Sequence, residues 1–200
     1  MSSVNLLIME TLIKYLDSMQ PLSAGLTEHL QRTLKEKIVS PGDFLLKSGQ
    51  VSRDIFFIEK GLMRMFYPWK NHVISSWFRK EGDIIASPAS FFTQTPGYEN
   101  IEVLEPGVVY YVTFDELSNI YTSFPEFNYH RSTLLEKYYV QSQRHNFILH
   151  TKSAEERYML LKQYDPELLK RVEDRYIASY LGISPFTFSR TKKKFAKLAK

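Results

Sequence analysis

From Glu126 to Lys152 the chain runs 27 residues without a glycine or a proline. As a single helix at about 1.5 Å per residue, this stretch spans roughly 40 Å, more than a small domain needs for its own packing. A helix of that length requires a partner along it. Phe127, Leu134, Tyr138, Gln141, His145 and Ile148 approximate a heptad seam with polar residues near its middle. So narrow an apolar stripe favours self-association over packing on the chain's own sheet.

The residues ahead of this stretch follow a shorter period. Phe44-Leu45-Leu46, Ile55 to Ile58, Leu62 to Tyr67, Val73 to Phe78 and Val108 to Val112 are rich in β-branched and aromatic residues. Turn-forming pairs separate them: Pro41-Gly42-Asp43, Ser48-Gly49, Lys60-Gly61, Gly82-Asp83, Pro96-Gly97 and Pro106-Gly107. Many short strands so spaced predict a sandwich, jelly roll or barrel. Two amphipathic helices are expected before them. One covers residues 5 to 19, with Leu6, Met9, Ile13 and Leu16 on one face; the other runs from a Thr27 cap to Lys37, with Leu30 and Leu34 inward. Asp115-Glu116-Leu117 opens a further short helix.

No run approaches the roughly 20 apolar residues that span a bilayer. Leu6, Leu7 and Ile8 are followed at once by Glu10, Lys14 and Asp17, which is not a secretory pattern. The chain has no cysteine, which excludes disulfides and thiol catalysis and fits a reducing compartment. The expectation is a soluble cytoplasmic protein without membrane association.

Charge is unevenly distributed. Residues 81 to 130 hold eight acidic residues and no Lys or Arg, whereas residues 131 to 200 hold 15 basic against 7 acidic ones. The C-terminal third therefore suits a polyanion, and the middle segment repels one. That basic third reads as short helices. Ser153 with Glu156 forms a capping-box pattern for a helix ending near Gln163, before Asp165-Pro166. A helix from Asp174 to Leu181 then leads to a Gly182 turn and a helix from Ser184 into the Lys-rich tail.

Each residue of this last hairpin has a mechanical reading. Ile177, Ala178 and Leu181 bury one face, and the small Ala178 permits close helix approach. Gly182 takes the positive φ of a helix C-terminus, Ser184 is a favoured N-cap, and Pro185 suits the first helical position. Ile183 and Phe188 pack inward. Phe186, Thr187, Ser189, Arg190, Thr191, Lys193 and Lys194 are left to face outward, with Ser184 at the helix start. Hydroxyls and an Arg on a helix N-terminus, followed by lysines, fit a recognition helix in a DNA major groove. Arg190 is the candidate for a base edge and the lysines for phosphates.

With these motifs in order, the chain resembles the Crp-Fnr family of bacterial transcription regulators over nearly its whole length. Pro41-Gly42-Asp43, Leu46, Gly49, Phe57-Ile58, Gly61 and Arg64 resemble the start of that family's cyclic-nucleotide-binding-type jelly roll. Glu81-Gly82-Asp83 resembles a later turn of it, and Ile177 to Arg190 resembles its helix-turn-helix. The resemblance implies an α+β chain in three parts: N-terminal helices and a sensor jelly roll (1–124), a long dimerisation helix (125–152) and a helix-turn-helix DNA-binding domain (153–200). It also implies a homodimer on a two-fold symmetric DNA site, contact with RNA polymerase, and a small-molecule effector. The few residues after Lys197 do not supply the family's terminal β-hairpin wing.

Two departures from the family pattern bear on function. Relatives that bind cyclic AMP hold its phosphate with an Arg and a hydroxyl. The matching stretch, Gly82 to Glu105, contains no Arg or Lys and offers Gly97, Tyr98, Glu99 and Asn100 instead, while Asp83 stands in place of the usual Glu. Like charges about 4 Å apart cost on the order of 4 kcal/mol at an effective dielectric of 20, so cyclic AMP is not expected in the usual mode. An altered pocket would draw on Asp83, Ser87, Ser90, Tyr98, Glu99 and Asn100, with Ser142 from the long helix; alternatively, Phe91 and Phe92 fill the barrel. In the reader, Pro185-Phe186 stands where relatives often show Arg-Glu, which leaves Arg190 as the matching base contact.

An enzymatic site is not expected. His29, His72, His130, His145 and His150 form no H-x-H or H-E-x-x-H pattern, and no nucleophile elbow or phosphate-binding loop is present. No metal or cofactor is implied. The competing reading is a small-molecule-binding or protein-interaction module whose helix-turn-helix no longer binds DNA.

Overall fold

The structure, a computed structural model, describes residues 10–70 and 72–197. The chain divides into two compact units. One is built from the residues up to Met65 and Phe78–Glu136, the other from Phe66–Trp77 and the residues from Lys137 onward.

The first unit begins with helices α1 (Glu10–Met19) and α2 (Ala24–Thr33). Eight strands follow: β1 (Lys35–Val39), β2 (Phe44–Leu46), β3 (Asp54–Lys60), β4 (Met63–Trp69), β5 (His72–Arg79), β6 (Ile84–Ile85), β7 (Asn100–Val103) and β8 (Gly107–Thr113). A short helix α3 (Pro88–Thr93) lies between β6 and β7. The strands form two four-stranded sheets, in the orders β1-β8-β3-β6 and β2-β7-β4-β5. This is the strand order of an eight-stranded jelly roll, the architecture the strand-and-turn pattern predicted.

The period-2 alternation of β3 and β8 sets where the core lies. Phe57 opposes Tyr110 and Ile55 opposes Val112, so these four side chains share one face of the sheet. On that face they join Leu12, Leu16, Leu26 and Leu30 of α1 and α2, and Leu117 and Ile120 of α4 (Phe114–Ser123). Helix α4 opens with a complete capping box between Thr113 and Glu116.

Helix α5 (Phe127–Thr151) realises the Gly- and Pro-free stretch as 25 helical residues. His130 near its start is fully buried, with Nε2 at 3.1 Å from the carbonyls of Leu16 and Gln20, which pins α5 to α1.

Three expectations need correction. The second helix starts earlier than Thr27, because the Ser23 hydroxyl caps it by accepting from the Leu26 amide at 3.2 Å. It also stops at Thr33, and Lys35 to Lys37 become strand, since Lys35 pairs with Tyr111 in the β8 ladder. The supposed heptad seam is turned onto the chain itself: Phe127 is buried, and Leu134, Tyr138, Gln141, His145 and Ile148 are half-buried. The apolar and aromatic side chains that α5 leaves exposed are Tyr129, Leu135, Tyr139, Val140 and Phe147. Leu6 and Met9 of the expected first helix lie outside the described residues.

The second unit contains α6 (Ala154–Tyr164), α7 (Leu168–Arg171), α8 (Asp174–Tyr180) and α9 (Pro185–Lys197). Ser153 and Glu156 cap α6 reciprocally, as their spacing indicated. No helix among the described residues is long and apolar enough to cross a membrane.

Candidate nucleic-acid interface

Helices α8 and α9 meet at a turn in which Gly182 holds φ at 63°, a conformation that L side chains rarely adopt. Ile177, Ala178 and Leu181 are buried on the α8 side. Ser184 then caps α9, its hydroxyl accepting from the Thr187 amide at 3.0 Å, and Pro185 takes the first helical position.

Helical spacing divides α9 into two stripes. Phe188, Thr191 and Phe195, at i, i+3 and i+7, face inward; Phe188 meets Tyr158 of α6 edge-on at 5.7 Å, and Phe195 stacks on the same ring at 5.8 Å. Phe186, Ser189, Arg190 and Lys193, at i, i+3, i+4 and i+7, form a continuous exposed stripe. Phe186 is 76% exposed.

Ser184 is exposed at the helix start, and Thr187, half-buried beside it, shares a hydroxyl contact with it at 2.9 Å. Thr191 is a correction to the sequence reading. At 3% exposure it belongs to the inward stripe, three residues after Phe188, and does not face outward. Lys194 is exposed but bound to Glu155 at 2.6 Å, and Lys192 is bound to Asp174 at 2.7 Å. Among the described residues, Arg190 and Lys193 have no ion pair. Exposed pairs such as Lys194–Glu155 contribute about 0–1 kcal/mol, so a phosphate can replace the carboxylate at little cost.

Two features of this unit carried little sequence signal. Arg157 donates from Nε to the Lys152 carbonyl at 2.8 Å, from Nη1 to Leu181 at 2.9 Å and from Nη2 to Leu149 at 2.6 Å. A basic residue just past a helix C-terminus is the usual complement to its free carbonyls, and that was the one available hint. Ser179 of α8 meets the backbone of β5 at Val73 and Ser75, a contact 104 residues or more apart in sequence. Beside it, His145 stacks on Tyr180 at 4.5 Å and lies 5.2 Å from Trp77. Burial, aided by the Arg157 charge, pushes the His145 imidazole down to about 4.

The effector-pocket candidates in the first unit divide sharply. Ser87, Ser90 and Glu99 are buried together. The Ser87 hydroxyl donates to Glu99 Oε2 in a short hydrogen bond, and Ser90 accepts from the Ser52 amide at 2.9 Å while donating to the Thr95 carbonyl at 2.6 Å. A methyl group on Gly97 would sit 2.8 Å from the Ser90 Cβ, so the chain closes directly over this corner. Burial raises the Glu99 carboxyl above its ordinary range, partly opposed by the Ser87 hydrogen bond. Asp83 is occupied in its own turn, accepting from the Lys80 amide at 3.2 Å. Asn100 accepts from the Ser48 amide at 3.0 Å. Tyr98 is exposed, and Ser142 lies on the exposed side of α5. Phe91 is buried in the core as expected of a filler, whereas Phe92 is half-exposed.

No protein-family model matches the sequence, and no curated protein is similar to it by sequence. Solved structures do share its fold. FixK2 from Bradyrhizobium japonicum superposes with a TM-score of 0.70 at 15% identity, covering 83% of this chain and 86% of its own. The c-di-GMP responsive global regulator CLP of Xanthomonas campestris gives 0.71 at 13% identity, with 88% and 93% covered. The catabolite activator protein of Thermus thermophilus gives 0.56 at 14% identity, with 92% and 88% covered. The chain thus shares the fold of these solved structures.

Proposed function

We propose that this protein is a homodimeric, sequence-specific DNA-binding transcription regulator of the Crp-Fnr type, acting in the bacterial cytoplasm. The carrying observation is the exposed stripe Phe186, Ser189, Arg190 and Lys193 on a capped, well-packed α9. At 13 residues the helix is roughly 20 Å long, enough to lie in a groove about 12 Å wide with its first two turns against base edges. Arg190 reads a base, Phe186 meets a thymine methyl, and Lys193 and Lys194 hold phosphates. In fold, the relatives include a protein described as a global regulator, which agrees with this reading.

Dimerisation runs along α5. Tyr139, Val140 and Phe147 stand 58–65% exposed there, and a partner helix would cover them. The sensor jelly roll does not take cyclic AMP in the usual mode. Glu99 and Ser87 already satisfy each other where a phosphate would need a cation, and Gly97 closes over Ser90. Contact with RNA polymerase is the expected route from bound DNA to transcription.

The test is selection of bound sequences from random duplex DNA, with wild type beside Arg190→Ala, with and without cyclic AMP. A two-fold symmetric site that blurs in the variant, unaffected by cyclic AMP and weakened steeply by salt, supports the proposal. No enrichment under any condition overturns it in favour of an interaction module without DNA affinity.

A further inference from the structure

We infer that Glu155 and Asp174, two acidic residues outside α9, determine its preference for a fitted DNA site over random duplex; the inference rests on the DNA-binding reading above. Helix α9 carries Arg190, Lys192, Lys193 and Lys194 and no acidic residue of its own. At about 100° per residue, Lys192 and Lys194 leave the helix about 100° to either side of the line between Ser189 and Arg190, the middle of the exposed stripe. Each flank is met by a carboxylate from a different element. Lys194 Nζ reaches both oxygens of Glu155 on α6, at 2.8 and 2.6 Å, and Lys192 Nζ reaches Asp174 Oδ1 at the start of α8 at 2.7 Å. Each lysine also lies 5.8 Å from the centroid of an aromatic ring of the inward stripe, Lys192 over Phe188 and Lys194 over Phe195. Both are thereby drawn back from the exposed stripe, on which Arg190 and Lys193 remain open.

A helix with its side chains is about 10–12 Å across and the major groove is about 12 Å wide, so a seated helix has a phosphate strand along each flank. Those flanks are where Lys192 and Lys194 stand. Their ion pairs are exposed and therefore weak, and a phosphate brought within reach displaces the carboxylate. On random duplex the helix is not seated. Attraction there comes from the summed charge of the protein surface, and each carboxylate cancels its lysine in that sum. The two lysines thus add to binding at a fitted site and add little elsewhere. Acidic residues so placed weaken the wrong complex more than the right one, and the ratio of the two affinities is what a regulator depends on.

The experiment measures affinity of the full chain for the selected site and for random duplex of the same length, across a series of salt concentrations. Wild type is set beside Glu155→Gln, Asp174→Asn, the two combined, and Asp174→Asn combined with Lys192→Gln. Random duplex should be bound roughly threefold more tightly by each single variant and roughly tenfold by the two combined. Log affinity for it should fall more steeply with log salt, by about 0.9 for each lysine released. Affinity for the selected site should stay within about twofold of wild type. Adding Lys192→Gln should cancel the effect of Asp174→Asn on random duplex, which separates release of that lysine from a general change in net charge. Random duplex bound equally by wild type and both single variants overturns the inference. So does equal tightening on both kinds of duplex, or a gain in Asp174→Asn that survives Lys192→Gln. Those outcomes leave the DNA-binding reading standing, whereas failure of the wild type to select any site overturns that reading and this inference with it. Glu155, Asp174 and Lys192 are 42–53% exposed, so the variants should fold, and melting curves beside wild type check that they do.

Discussion

The Ser179 hydroxyl donates to the Val73 carbonyl at 2.7 Å and, from the other side, accepts from the Ser75 amide at 2.9 Å. One side chain on the first helix of the helix-turn-helix thus satisfies two backbone groups of β5. Ser179→Ala leaves both without that partner. A stability loss of about 1–3 kcal/mol is expected, with faster amide exchange at Ser75 in particular. Exchange at Ser75 unchanged from wild type would show that the contact is not maintained in solution.

The exposed stripe of α9 separates recognition from folding. Phe186→Ala removes a ring that contributes little to the core, so thermal unfolding should stay within about 1 °C of wild type. Affinity for the selected DNA site should fall by about 1–3 kcal/mol, and discrimination should relax at one thymine. Thr191→Val should do the reverse, leaving DNA affinity intact while altering stability, because that hydroxyl is buried against the α9 neighbours. Gel shifts beside melting curves check both.

Glu99 offers a pH test of the closed corner. Its carboxyl is raised above its ordinary value of 4.5 by burial, so the folded state binds its proton more tightly than the unfolded chain does. The associated stability is full at low pH and declines as pH rises through the raised value. Glu99→Gln removes that decline. The variant should melt above wild type at pH 7.5, each kcal/mol gained appearing as about 2–4 °C, and the gap should close as pH falls toward 4.5. A gap that is constant with pH would mean the carboxylate is solvated after all.

His145 runs in the opposite sense. Burial holds its folded value at about 4 against an ordinary 6.5, so the unfolded chain gains its proton first. Stability contributed above pH 6.5 is lost progressively as pH falls toward 4, on the order of 2 kcal/mol once partial solvent access is allowed for. His145→Phe keeps a ring for Tyr180 to stack on and removes the titration. Its unfolding free energy should be flatter than wild type between pH 6.5 and 4 by denaturant titration.

Sequence made the jelly roll and the α8–α9 hairpin legible because local chemistry decided both. Gly182 tolerates the positive φ that the turn needs, Ser184 supplies the cap and Pro185 fixes φ at the first helical position, and the Ser153–Glu156 spacing fixed the α6 cap without tertiary help. Legibility ended where distance took over. Lys35 to Lys37 carry no strand alternation, and only the β8 ladder makes them strand. The α5 seam misled because a half-buried stripe looks alike in sequence whether its cover comes from the same chain or another. Thr191 was read from its polarity, although helical spacing from Phe188 already placed it inward. Arg157 and Ser179 were invisible as fasteners, since their acceptors are backbone groups that no residue type advertises.

The three carbonyls gathered by Arg157 come from the last turn of α5, the connection after it and the turn ahead of α9. A planar guanidinium with all three nitrogens engaged permits little relative rotation among its acceptors. The junction therefore behaves as a welded elbow and not as a ball joint. A roll or slide of the end of α5 is passed on to α9, so the orientation of the exposed stripe follows the twist of α5.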